Sequence, residues 1–534
     1  MSEIGTVELV FLLLLLFIVG FGLLARKLAA PYPIVMVIGG LILGFVPTIP
    51  DISLNPDLIF MVILPPLLYA AAWTTSWRDF RHNIGTICLL AFGLVGFTVL
   101  GVAVAAPVVL SSGFDWRLGM MLGAIVAPTD AIAATSIARR VGLPRRIVDI
   151  LEGESLINDA TGLLALQFAT EIVVSRHVPS LSTGVLTLTW LVLGGVGLGL
   201  LVALIIDYVE RKFDDGPIEI ALSVLVPYAV YLAADAVHAS GVLAVVACGL
   251  LLSRRSVYFL TPAVRIQVWS FWESFTFVLN GLVFVLIGLQ LPHIRSEIRE
   301  YSLASLVFDG AAFSLLIILL RLAWTYPAAG LAWFLRTRIR KSKERPPGAR
   351  QIFVVGWTGM RGVVSLAAAL ALPTVMENGS PFSHRNLIVF LTFCVIFVTL
   401  VLQGITLPPL IRALRLAGPA GPNCEELEAR RIVLEAAVSH LEEAKRKDRE
   451  EAASLYEDLA EHYRQRLVSL HPLPENETAL SNHDRYVELS REALRVERET
   501  AVLLWNEGRI NDEVLRRIER ELDLSESRFL INES

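Results

Sequence analysis

From Met1 to about Arg415, apolar runs of about 18–25 residues follow one another with only short polar joints between them. As a helix, each run is long enough to cross a hydrocarbon core of roughly 30 Å. Lipid offers no partner for backbone N–H and C=O groups, so consecutive spans of this length are expected to be helices. Composition agrees: 54 % of the 534 residues are hydrophobic and 18 % are charged, against about a quarter charged in an ordinary soluble chain. After Gly418 the sequence turns abruptly to Glu- and Arg-rich stretches. The expected class is an all-α polytopic membrane protein, with a membrane domain over 1–415 and a small helical tail over 416–534. The first run, 7–24, has no charges before or within it other than Glu3 and Glu8 and lacks a basic n-region. It is also too long for a signal-peptide core, so it is expected to be retained. Cys88, Cys248, Cys394 and Cys424 show no spacing of a zinc site or disulfide framework.

About thirteen spans are expected, at 6–24, 30–47, 57–75, 84–110, 117–138, 147–174, 184–208, 218–236, 239–253, 268–291, 303–334, 351–374 and 386–414. Cytoplasmic joints of a membrane protein are enriched in Lys and Arg. With thirteen spans, one alternating set of joints holds 22 Lys+Arg and the other only 5, namely Arg117, Arg176, Arg295, Arg299 and Arg385. That asymmetry places the N-terminus outside and the tail in the cytoplasm, with the cell membrane as the expected location. Arg321 and Arg361 fall inside spans instead of between them, so each needs a buried partner.

The fifth span carries Ala127-Pro128-Thr129-Asp130 at its centre. Proline removes a backbone donor and crowds the preceding turn, so an interrupted helix facing a cavity is expected. The twelfth span has a matching interruption, Gly356-Trp357-Thr358-Gly359-Met360-Arg361-Gly362, with three glycines in seven residues. Spans five and twelve are seven apart, as two inverted six-helix repeats (spans 1–6 and 8–13) would require. Paired broken helices at equivalent places of two halves point to a transport site near the midplane. The sixth span contains Glu154-Ser155-Leu156-Ile157-Asn158-Asp159. Ser155 and Asp159 share one helical stripe, and Glu154 and Asn158 form a second about 100° away. One stripe can face a cation while the other makes a salt bridge that steadies the broken helix. Ionised groups in hydrocarbon are costly unless paired or wetted, which marks Asp130 and Asp159 as functional; the alternative is two carboxylates held by Arg or backbone donors with no ion. Glu154 is expected to pair with Arg321. Asn158 fits either interhelical hydrogen bonding or the site itself, while Ser155 and Thr129 alone would say little. Arg361 is expected to neutralise carbonyl ends of the broken twelfth span. Asp235 and His238, between spans eight and nine, read as solvated loop residues.

Ala127-Pro128-Thr129-Asp130, Gly153-Glu154-Ser155-Leu156-Ile157-Asn158-Asp159 and Gly359-Met360-Arg361-Gly362 resemble signature segments of the cation:proton antiporter-1 family, the bacterial NhaP-type antiporters and animal sodium/proton exchangers. The resemblance runs over essentially all of 1–415 and shows no departure within these motifs. It implies that Asp159 binds the cation and exchanges it for a proton, with Asp130, the Ser155 hydroxyl and the Thr129 carbonyl completing the site for the transported Na+. It implies an ion pair between Glu154 and Arg321. It implies a homodimer in which a core (about 84–174 and 303–414) slides against a dimerisation scaffold (about 6–75 and 184–291). The Asn158-Asp159 pair implies electroneutral exchange of one cation for one proton, where the related Asp-Asp group is electrogenic.

The expected activity is therefore exchange of Na+ for H+, with Li+ or K+ possible as cargo. Oxygen ligands alone do not separate Na+ from K+, so a K+/H+ or mixed-cation exchanger is the first rival. A cation channel is the second, although a channel needs neither two inverted halves nor a titrating acid. A membrane enzyme is a more distant third, since the chain shows no set of acid, base and nucleophile near an interface. No cofactor and no nucleic-acid partner is expected beyond the bilayer and the transported ions. The tail holds 17 Lys+Arg against 27 Asp+Glu over 419–534. Leu455, Leu459, Tyr463, Leu467 and Leu470 recur there at helical spacing. Further helical runs are expected at about 483–506 and 508–523, after a breaker at His471-Pro472-Leu473-Pro474; together they predict a small bundle.

Overall fold

The structure, a computed structural model, describes residues 3–46, 55–110, 113–175, 181–212, 215–298, 301–339, 346–375, 382, 384–417, 424–447, 453–470, 477–507, 509 and 512–530. Every regular element among them is helical. The membrane unit runs through α1 (Glu3–Lys27), α2 (Tyr32–Gly44), α3 (Pro56–Thr74), α4 (Trp77–Val109), α5 (Trp116–Val126), α6 (Ala131–Val141) and α7 (Arg145–Ser175). It continues through α8 (Leu181–Glu210), α9 (Gly216–Ala236), α10 (Gly241–Phe259), α11 (Pro262–Glu297) and α12 (Leu303–Ile339). It closes with α13 (Ala349–Trp357), α14 (Val363–Leu370) and α15 (Arg385–Ala413). Nine described helices are long and apolar enough to cross a bilayer, and α5 with α6, bent by 45°, adds a tenth when counted as one. The other expected stretches are helical for reasons visible in sequence. The helix α2 has only 13 residues, α7 interrupts its apolar surface with Glu152, Glu154, Asn158 and Asp159, and α13 and α14 are pieces of 9 and 8 residues.

Apolar residues point outward as well as inward. Leu12, Leu16 and Leu23 on α1 and Leu186 and Leu193 on α8 are all more than 60 % exposed, which in water would be untenable and in lipid is expected. Inside, close helix approach replaces the hydrophobic effect as the organising principle. Gly119 and Gly123 lie one turn apart on α5, and a Cβ at either would come within 2.9 Å of a Cα on α4, Ala103 or Val99. Gly162 on α7 packs in the same way onto Pro128, where a Cβ would lie 2.7 Å from the ring Cδ. That contact seats the break of the fifth span against α7.

Three helices carry a π-helical turn, at Ile59–Ile63 in α3, Leu89–Leu94 in α4 and Thr399–Gln403 in α15. Such turns free backbone carbonyls for other partners. In α4 the freed groups are used, since Thr161 Oγ1 donates to Ala91 O at 2.7 Å and Trp324 Nε1 to Leu89 O at 3.0 Å.

The chain divides into two compact units, Met1–Pro419 and Ala420–Ser534. The second is four helices, α16 (Cys424–Lys447), α17 (Ala453–Leu470), α18 (Glu477–Asn506) and α19 (Asp512–Leu530). Its buried apolar positions are Leu434, Ala460, Ala501 and Leu522. The positions at helical spacing fall on the helix α17 but are covered unevenly: Leu455 is 70 % and Leu459 46 % exposed, Tyr463 and Leu467 are half-buried, and the small Ala460 is buried. The breaker His471-Pro472-Leu473-Pro474 lies outside the described residues.

Candidate ion site

Two helix breaks meet inside the membrane unit. In the first, α5 stops at Val126 and α6 starts at Ala131, with Asp130 as its N-cap. The Asp130 side chain accepts the Ile132 N–H at 2.8 Å, the ordinary way an orphan helix donor is satisfied. In the second, α13 stops at Trp357 and α14 starts at Val363. The breaks are bonded to each other: the Asp130 N–H donates to Met360 O at 2.8 Å. Arg361, 1 % exposed, donates from Nε to Val126 O at 2.8 Å and from Nη1 to Gly359 O. Its own N–H donates to Thr399 Oγ1 at 3.1 Å, in the π turn of α15. The sequence-based expectation for Arg361 was too narrow. Its guanidinium serves carbonyls of both interrupted spans, the last of α5 as well as Gly359, because the meeting of the breaks puts both negative ends within reach.

On α7 the two stripes separate. Glu154 is fully buried and takes Arg321 in a bidentate pair, Nη1 to Oε1 at 2.5 Å and Nη2 to Oε2 at 2.9 Å. Arg321 Nη2 also donates to Val355 O on α13 at 3.2 Å. Thr129 links this pair to Asn158: its hydroxyl donates to Glu154 Oε1 at 3.3 Å and accepts from Asn158 Nδ2 at 2.6 Å. Asn158 therefore ties α7 to the break, and its Oδ1 has no hydrogen-bond partner. The other stripe turns to a cavity of about 600 Å3, whose walls include Thr129, Asp130, Ser155 and Asp159. Ser155 Oγ accepts the Ala131 N–H at 3.2 Å. Asp159, 8 % exposed, enters no hydrogen bond or ion pair among the described residues. The cavity continues past Thr74, Trp269 and Glu273 to Arg139 and Glu152, which pair at 2.7 Å.

The structure thus collects Asp130, Asp159, Ser155 and Thr129 on one cavity, with the Glu154–Arg321 ion pair and the carbonyl-bound Arg361 outside its lining. Hard oxygen donors around a partly buried pair of carboxylates suit a dehydrating alkali cation. No group of three or more His, Cys, Asp or Glu suited to a resident metal ion occurs among the described residues. Sequence reasoning missed the far wall, where Asn280, 6 % exposed, and Glu273 line the cavity from α11. Both stand out as polar residues within an apolar run, which was the available signal. It also missed Thr399, for which a lone hydroxyl in an apolar helix gives no signal. Asp235 and His238 are exposed at the end of α9, away from the site.

These features define a polytopic helical membrane protein built around joined broken helices and a pair of cavity-lining acids. A family model described as "Sodium/hydrogen exchanger, transmembrane" matches residues 12–413, and the chain belongs to that family. It is 33 % identical over 508 residues to a protein of Mycobacterium tuberculosis named as an uncharacterized Na(+)/H(+) exchanger, covering 93 % of this chain and 92 % of the relative. It is 31 % identical over 455 residues to a sodium, potassium, lithium and rubidium/H(+) antiporter of Bacillus pumilus, covering 83 % and 66 %. Among solved structures, the sodium proton antiporter MjNhaP1 of Methanocaldococcus jannaschii superposes with a TM-score of 0.59 at 22 % identity, covering 77 % of this chain and all of that one; this likeness is one of fold.

Proposed function

We propose that this chain exchanges Na+ for H+ across the cell membrane, one for one and without net charge movement. Asp159 is the exchanging group, and Asp130, Ser155 and the Thr129 carbonyl are the remaining ligands. The observation that carries this is the placing of two acids on one cavity beside two joined helix breaks, with the carboxylate of one of them, Asp159, in no hydrogen bond or ion pair among the described residues. A cation or a proton each neutralises Asp159, so the two compete for one seat. A core that carried the site empty and ionised past the apolar scaffold would incur a cost of several kcal/mol. Only loaded forms cross, and exchange follows in place of leak. Glu154 and Arg321 hold Thr129 and α13 in place and carry no ion. Asn158, uncharged where a second acid would add to the site's charge, leaves the site with the same net charge whether Asp159 holds Na+ or H+.

The same reading takes the membrane unit as thirteen spans in two inverted six-helix repeats. It takes the core as about 84–174 and 303–414, and a homodimer as assembling through the scaffold, about 6–75 and 184–291. The N-terminus is outside and the tail, 416–534, cytoplasmic; the 22-to-5 split of Lys+Arg between alternate joints supports this. No cofactor is required. In proteoliposomes with an acid interior, external Na+ should dissipate the pH gradient and Asp159→Asn should not respond; a wild-type response indistinguishable from Asp159→Asn would overturn the proposal. A mixed-cation exchanger is the second reading, favoured by the name of the Bacillus pumilus relative. Equal responses to Li+, Na+ and K+ in that assay would decide for it.

A further inference from the structure

A second cavity, of about 170 Å3, lies wholly outside the ion site, between α4, α7, α12 and α13. Its charge is one-sided. Arg146 and Arg336 line it, and none of the described lining residues is Asp or Glu. Arg336 Nη2 donates to Thr86 Oγ1 at 3.3 Å, a second polar group of the lining, and the Gln351 side chain is a third. Both arginines have further neighbours, and each guanidinium carries five donors in a fixed fork.

Two helix ends add to this field. The helix α7 begins Arg145-Arg146 with no acid in its first turn. Basic residues there oppose the positive end of the helix dipole, where anions are favoured. The helix α13 begins beside the cavity with Gly348 as N-cap, no side-chain cap and no acid in its first turn. Two guanidiniums, two positive helix ends and a hydroxyl thus converge with no acid among the described lining residues. Such a setting suits an anion with several oxygens that can take forked donors. Deeper in, the wall turns apolar at Leu90, Ile150 and Val355. Basic pockets between membrane helices with apolar walls are where lipid phosphates bind.

We propose that this cavity binds a phosphate group, carried either by an anionic phospholipid or by a free phosphate anion. Its position gives the occupant leverage. It would touch α7, which carries Asp159, and α13, the first half of a broken pair. The floor residue Val355 accepts from Arg321 through its carbonyl at 3.2 Å. An occupant would tie α13 to α7 from the side opposite the ion cavity, and so stiffen the frame around the breaks without touching the transported ion.

The test uses the full-length protein, purified and delipidated in detergent. Thermal unfolding is followed with short-chain phosphatidylglycerol, short-chain phosphatidylcholine or inorganic phosphate, for the wild type and for Arg146→Gln/Arg336→Gln. Phosphatidylglycerol should raise the wild-type Tm by about 2 °C or more at saturation, with phosphatidylcholine inert. The double variant should need about tenfold more to reach the same shift, the loss expected for two charge-assisted contacts. A shift with phosphatidylglycerol alone assigns the site to lipid, and one with inorganic phosphate as well assigns it to the free anion. Ala332→Phe fills the cavity without changing charge and should abolish the shift, which keeps the proposal testable should the double variant fold poorly. No shift with either phosphate, or the same titration in wild type and in whichever variant folds, would overturn it. Asp159→Asn should keep the full shift while losing exchange, so the outcome is separate from that of the proposed transport.

Discussion

A carboxylate that is 8 % exposed and has no hydrogen-bond or ion-pair partner among the described residues keeps its charge only by what the cavity supplies. Asp159 is in that position, whereas Glu154, more deeply buried, is matched by Arg321 through two bonds. Opposite outcomes follow on substitution. Asp159→Asn removes the exchangeable charge and keeps the shape. Its Na+-driven proton flux in proteoliposomes should fall at least about a hundredfold, to the level of empty vesicles, as expected when the exchanging carboxylate is lost, with expression and elution profile unchanged. Glu154→Gln instead leaves the Arg321 guanidinium buried without its anion, a change that costs about 3–5 kcal/mol. Its melting temperature should therefore drop sharply, and Glu154→Gln/Arg321→Met should recover part of the loss, because a buried pair replaced by apolar shape is often neutral. If Glu154→Gln kept wild-type stability and lost only cation affinity, Glu154 would have to be counted among the ligands.

At the scale of elements, everything converges on two breaks and the few bonds that join them. Gly362 sits where α14 begins, and a Cβ there would come within 2.7 Å of Asp130 Cβ and 2.9 Å of its Cγ. The contact is with a side chain that caps α6 and lines the cavity, so it cannot yield without moving a ligand. Gly362→Ala is therefore expected to raise the apparent KM for Na+ about tenfold or more while the protein still folds; a KM within twofold of wild type would show that Asp130 has room to move. The breaks were legible because their causes are local: Pro128 in one apolar run and three glycines in seven residues in the other. The stripes of α7 were legible because helical geometry fixes which of Glu154, Ser155, Asn158 and Asp159 share a face. What joins the breaks was not legible. Arg361 reaches Val126 across 235 positions, and the bond from Asp130 to Met360 is made by backbone atoms that every residue possesses. Glu273 and Asn280 reach the cavity only through the rotation of α11 against the site, which an apolar helix with few polar marks does not disclose. On α17 the positions at helical spacing are covered unevenly, with Leu455 and Leu459 exposed while Ala460 is buried, since periodicity identifies a helix more reliably than it identifies the buried face of a short amphipathic one.

For the whole molecule, the proposed exchange turns on one cavity serving both ions. It joins Asp159 to Arg139 and Glu152 on α6 and α7, the end that the Lys and Arg distribution assigns to the cytoplasm. Alternating access requires the core to carry the joined breaks, with their internal bonds intact, toward the other face. The bonds from Arg361 and Asp130 across the breaks, and from Glu154 to Arg321, all lie within residues 84–174 and 303–414, which lets that set move as a body. If Na+ and H+ compete for Asp159, then lowering the pH fills the site with protons and weakens apparent Na+ binding. On the acid side of the site's titration the KM for Na+ should rise about tenfold per pH unit while the maximal rate at saturating Na+ stays level, since each unit multiplies the competing ligand tenfold. On the alkaline side KM should level off while the rate falls for want of the returning proton, giving a bell-shaped profile at fixed Na+. The exchange should also be indifferent to a membrane potential of either sign imposed with K+ and valinomycin, in an assay where Na+ drives the pH change. A rate that doubled or halved with the imposed potential would mean net charge crosses in each cycle, and Asn158 would no longer account for the stoichiometry. A KM independent of pH would be more damaging, because it would separate the proton's binding place from the cation's and leave Asp159 with only one of its two tasks.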